Sequence, residues 1–63
     1  MAFYRAYFVD SEGHITSVRV LDCSDDDHAR AEGGKLADER AVEIWDGSRM
    51  VVRVDARQRR QGG

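Results

Sequence analysis

The stretch Ala41-Val42-Glu43-Ile44-Trp45-Asp46-Gly47-Ser48-Arg49-Met50-Val51-Val52-Arg53-Val54 decides the fold. Ala41 to Trp45 and Met50 to Val54 are rich in β-branched and aromatic residues, which suit a pleated, half-buried strand. Asp46-Gly47 between them signals a hairpin, because glycine takes the positive φ such turns need at no steric cost. A two-residue turn there places Arg49 opposite Ile44, on the buried side. A three-residue loop with Gly47 left-handed instead groups Val42, Ile44, Met50 and Val52 on one side. The apolar pattern selects the second arrangement.

Working back along the chain, Ser24-Asp25-Asp26-Asp27 opens a helix. Ser24 is the expected N-cap, and Asp27 stands where a capping box places its acidic partner. Aspartates in the first turn also face the positive end of the helix dipole. The helix is expected to run to Asp38 or Glu39 with a thin apolar stripe of Ala29, Gly33, Leu36 and Ala37. A helical glycine costs ~1 kcal/mol relative to alanine, so Gly33-Gly34 needs a reason. Gly33 lies on the stripe, which favours close approach of its backbone to a sheet over a bend in the helix.

Before the helix, Phe3-Tyr4-Arg5-Ala6-Tyr7-Phe8-Val9 reads as a strand, Ser11-Glu12-Gly13-His14 as a turn, and Ile15 to Cys23 as the returning strand. The fold class is therefore α+β: a single ββαββ domain over residues 1–55, a four-stranded antiparallel sheet with one helix packed on one face. Residues 56–63 lack an apolar pattern and read as a flexible basic C-terminal tail. Strand order does not follow from these local patterns.

Three segments carry a resemblance: Tyr7-Phe8-Val9-Asp10-Ser11-Glu12-Gly13-His14-Ile15, Asp22-Cys23-Ser24-Asp25-Asp26, and Val42-Glu43-Ile44-Trp45-Asp46-Gly47-Ser48-Arg49. Over residues 3–54 the chain resembles a family of very small uncharacterised alphaproteobacterial proteins, a domain of unknown function with a ββαββ pattern and a Trp-Asp-Gly turn. The resemblance implies a bacterial protein of this fold and transfers no activity, cofactor or catalytic residue. The Gly33-Gly34 pair departs from it, since better helix formers are expected there.

Composition excludes several classes. With 41% hydrophobic and 35% charged residues the chain is globular, not disordered. Its apolar runs are far too short to span a bilayer, so no membrane role is expected. No basic segment followed by an apolar stretch opens the chain, and with one free cysteine the cytoplasm is the expected compartment. Residues 23–46 hold eight acidic and three basic side chains, whereas residues 47–63 hold five arginines against Asp55 alone.

Size makes a partner the expectation. Burying ~3,600 Å² of apolar surface at ~25 cal/mol/Å² stabilises a chain this long by ~90 kcal/mol. Ordering it at ~1.5 kcal/mol per residue costs ~95 kcal/mol. The two cancel, and a single cysteine cannot make an internal disulfide. One helix, moreover, covers only one face of four strands. Tyr4, Ala6, Phe8, Val42, Ile44, Met50 and Val52 are expected beneath it, with Val18 or Leu21. The opposite face is then expected to hold Phe3, Arg5, Tyr7, Val9, Trp45, Val51 and Arg53. Aromatic and arginine side chains of this kind mark interfaces. The reading is a small non-enzymatic protein-interaction module that self-associates through the sheet face or edge, a homo-oligomer with a dimer as first choice, or that adds to a larger protein. Phe3, Arg5, Tyr7, Trp45, Val51 and Arg53 form the expected contact.

Other chemistry is weaker. Cys23 and His28 lack the second ligand pair of a metal site, no nucleophile–base pair or phosphate-binding glycine loop is present, and no cofactor is expected. The alternative is a nucleic-acid-binding regulatory protein. Arg49, Arg57, Arg59 and Arg60 would supply phosphate contacts beside aromatic platforms, opposed by a sequence pI of 5.5.

Overall fold

The computed structural model, which describes residues 2–56, contains β1 (Ala2–Val9), β2 (Ile15–Cys23), α1 (Asp26–Leu36), β3 (Ala41–Asp46) and β4 (Arg49–Val54). All neighbouring strands are antiparallel, in the order β2-β1-β3-β4. The expected α+β architecture is the observed one. Strands β2 and β3 run parallel to each other with β1 between them, so α1 carries the chain across β1. The tail from Arg57 onward lies outside the described residues.

Burial explains the order. Central β1 and β3 contribute Tyr4, Ala6, Phe8, Val42 and Ile44 to the core, joined by Cys23, Ala29 and Ala37. The flanking strands supply the half-buried Leu21, Val52 and Val54. Leu21 therefore takes the place beneath the helix that was open between it and Val18; Val18 faces the other way, opposite Tyr7. Helix α1 lies mainly across β3 and β4 and also touches β2. Among the described residues no helix is long and apolar enough to cross a membrane.

The helix begins one residue later than expected. Asp25 is the N-cap, its Oδ1 accepting the His28 backbone N–H at 2.8 Å. Ser24 stands outside the cap, and its N–H donates to His28 Nδ1 at 3.1 Å. Asp27 pairs instead with Arg30 at 3.0 Å. The helix also ends sooner, at Leu36, where extended Ala37 returns its N–H to the Gly33 carbonyl at 3.1 Å. Beyond it Asp38 Oδ1 accepts the Arg40 N–H at 2.9 Å, a local turn that competes with further helix.

Helix α1 is continuous through Gly33-Gly34. A Cβ on Gly33 would stand 3.1 Å from Ile44 Cγ1 and 3.6 Å from Val54 Cγ2, whereas one on Gly34 meets nothing within 4 Å. Gly33 thus lets the helix backbone sit against the sheet, as its place on the apolar stripe suggests.

Both hairpins use a left-handed glycine and a bulge. In the first, Gly13 has φ +85° and Asp10 Oδ1 accepts the N–H groups of Glu12 and His14, each at 2.9 Å. Those bonds, His14's above all, hold the Asp10 carboxyl below its ordinary range. In the second, Gly47 has φ +61°, but the loop is the two-residue Gly47-Ser48, closed by the pair Asp46–Arg49. A bulge then restores the apolar pattern: Ile44 faces Val52 while Trp45 faces Met50, leaving Val51 as the extra residue. Met50 is therefore exposed, not beneath the helix, and Val54 opposite Val42 occupies the core side.

Candidate functional site

Cross-strand pairing lays out the face away from the helix as rows. One runs Val20–Arg5–Trp45–Met50 and the next Val18–Tyr7–Glu43–Arg53. Phe3 faces Asp22 at one end, and Ile15, Val9 and Ala41 close the other. The surface thus brings together Phe3, Arg5, Tyr7, Trp45 and Arg53. Val51 departs from the expected set: the bulge leaves it half-buried and packed against the core, and Met50 faces Trp45 in its stead.

Polar groups occupy the β3–β4 half of this face. Glu43 accepts from Trp45 Nε1 at 3.0 Å and from Arg53 Nη1 at 2.7 Å, and Arg53 Nε lies 3.5 Å from Asp55. The carboxylate therefore anchors the indole and the guanidinium together. The β1–β2 half is different. Phe3 is 67% exposed, Ile15 61%, Val18 54% and Val20 61%. Sequence reasoning missed Ile15, Val18 and Val20 as surface residues. Val18 and Val20 alternate visibly with Leu21 and Cys23, but only the strand order makes β2 an edge, and only the bulge at Thr16 turns Ile15 onto this face.

A second cluster joins the helix start to both hairpins. Buried Tyr4 donates its hydroxyl to Asp26 Oδ1 at 2.9 Å. Asp26 also receives both Arg49 Nη atoms, at 3.1 and 3.2 Å, and Arg49 Nη2 reaches Asp46 at 3.0 Å. This two-pronged pairing matches guanidinium to carboxylate geometry. The hydrogen bond to Asp26, burial and nearby carboxylates push the Tyr4 phenol from 10.0 up to about 12. Bonds from Arg49 and Tyr4 hold the Asp26 carboxyl below its ordinary range, and Asp26 and Asp46 raise the Arg49 guanidinium further. At neutral pH this arrangement is a tie holding helix to sheet, with Tyr4 protonated and Asp26 ionised.

The tie bears on the basic residues singled out from the sequence. Arg49 is engaged by two carboxylates, which compete with any phosphate. Arg57, Arg59 and Arg60 lie outside the described residues. Burial, then Glu32, Asp22 and Asp25, push the Cys23 thiol up, away from the thiolate a nucleophile needs. Among the described residues no three His, Cys, Asp or Glu side chains come together to hold a metal ion. No protein-family model, curated protein or solved structure matches the chain.

Proposed function

We propose that this chain is a small non-enzymatic interaction module that self-associates through the face or edge of its sheet. The observation that carries the reading is the apolar group Phe3, Ile15, Val18 and Val20, each more than half exposed, beside Tyr7 and Trp45. Their exposed parts amount to something on the order of 400 Å², the size of the largest apolar patch on a typical monomer. That is about half of the ~800 Å² each partner brings to a standard interface. Neighbouring backbone and the rims of Tyr7 and Trp45 can supply the remainder. A second copy is the fitting occupant, because the patch is mainly apolar, with Arg5 among its side chains, and a formal net charge of −2 sets little repulsion between copies. The single free thiol is buried, which suits a reducing, cytoplasmic setting.

Sedimentation equilibrium over micromolar concentrations tests the reading, with a mass above that of the 7.1 kDa chain expected. A single species of that mass throughout would sink it. Should the monomer instead retain labelled oligonucleotides in a salt-dependent manner, the nucleic-acid reading replaces it.

A further inference from the structure

We infer that two copies associate edge to edge, β2 pairing antiparallel with β2 of the second copy to make one continuous eight-stranded sheet. This rests on the self-association reading and names its geometry. Four observations carry it.

The first is that the two edges of the sheet are built differently. Strand β4 carries a bulge at Val51, and Arg49 and Arg53 stand toward its two ends, each held by two carboxylates. Bulges and charges are the devices that keep an edge from pairing. Strand β2 has nine residues, and its bulge, where Thr16 is the extra residue opposite Phe8 and Val9, falls at its very start. Residues 17–23 then pair with β1 without interruption. Among the described residues no strand lies outside them.

The second observation is backbone polarity. The hairpin bond from Asp10 N–H to the His14 carbonyl, 2.9 Å, sets the phase of the β1–β2 ladder. Antiparallel alternation carried through the bulge turns the peptide groups of Val18, Val20 and Asp22 outward. The residues with outward backbone thus include the two exposed valines, so one strand offers both the hydrogen-bonding groups and the apolar side chains.

The third is coverage. Ile15 to Val20 are all exposed: Ile15, Val18 and Val20 face away from the helix, and Ser17 and Arg19 lie on the helix side of an edge that α1, lying mainly across β3 and β4, leaves open. A strand added along residues 15–20 meets an open edge, while the helix reaches only the far end of β2, where Leu21 and Cys23 are covered.

The fourth is self-complementarity. A two-fold axis perpendicular to the sheet, between the two strands and level with one residue of β2, keeps like faces together, so the two uncovered faces lie side by side. Centring on Arg19 sets that guanidinium against its own copy, a repulsive pair. Centring on Val18 or Val20 sets valine against valine, a favourable β-branched pair.

Cysteine cross-linking tests this pairing beside the sedimentation measurement. Facing residues in a hydrogen-bonded antiparallel pair have Cα atoms ~5.5 Å apart, within disulfide range. Val18→Cys or Val20→Cys is expected to form a disulfide-linked dimer on mild oxidation, and Trp45→Cys is not. The unaltered chain, whose thiol is buried, serves as the blank. Val18→Lys, with its fold checked by circular dichroism, is expected to raise the dimer dissociation constant roughly tenfold or more. Dimeric mass with a link only at Trp45→Cys, or with none at either valine, overturns edge pairing and leaves self-association standing. Monomeric mass at every concentration overturns both.

Discussion

Adjacent glycines in α1 answer to different constraints. Gly33 faces Ile44 and Val54 at close range, while Gly34 has open space where a Cβ would go. Ile44 is fully buried and has little room to retreat. Overpacking a core costs typically ~1–3 kcal/mol, against a helix gain of ~1 kcal/mol from glycine to alanine. Gly33→Ala is therefore expected to lower stability by about 1 kcal/mol, and Gly34→Ala to raise it by about 0.5–1 kcal/mol. Urea midpoints of the two variants should move in opposite directions. The Tyr4–Asp26 bond sets a pH signature at the same scale. The folded phenol lies at about 12 against an ordinary 10.0, so its stabilisation is fully present below 10.0 and is lost as pH rises toward 12. The folded Asp26 and Asp10 carboxyls are depressed, so theirs is present above the ordinary aspartate range and is lost as pH falls below it through the depressed folded values. Tyr4→Phe should flatten the alkaline limb of a stability–pH curve, and an unchanged alkaline limb would show that the bond does not contribute.

At the scale of elements, the cap of α1 separates two readings of one acidic run. Asp25 takes the His28 N–H, and Ser24 lies just outside. Asp25→Ala is expected to cost about 1 kcal/mol, whereas Ser24→Ala should stay within ~0.5 kcal/mol. Thermal unfolding of both variants distinguishes them; the reverse ranking would make Ser24 the cap. Sequence favoured Ser24 because serine followed three residues later by an acid fits a capping box. The chain leaves β2 only at Cys23, however, and the first helical turn then starts after Asp25, where a carboxylate also reaches the third amide. The second hairpin shows the same limit. Asp46-Gly47 announces a turn, and Gly47 is left-handed as expected. Loop length and bulge act jointly on register, so the apolar pattern was met with two loop residues plus a bulge at Val51 instead of three loop residues.

For the whole molecule, the proposed self-association couples stability to concentration. If the dimer is the folded species that persists, mass action stabilises it as protein concentration rises. A tenfold increase should then raise the stability of the dimer by about 1.4 kcal/mol and the thermal midpoint with it. A midpoint independent of concentration would argue for a protomer that is stable alone. Local patterning determined the order ββαββ, the strand and turn positions to within a few residues, and the close seat of Gly33, since these follow from side-chain periodicity and glycine stereochemistry within short segments. It also placed Phe3, Arg5, Tyr7, Trp45 and Arg53 on a sheet side that one helix leaves uncovered. Only the tertiary structure decided that β1 and β3 are central, that β2 is an edge with Ile15, Val18 and Val20 exposed, and that Arg49 closes a tie with Asp26 and Tyr4. These depend on pairings between residues more than twenty positions apart, where the competition of whole strands for the buried centre of the sheet, not the preference of any one segment, sets the outcome.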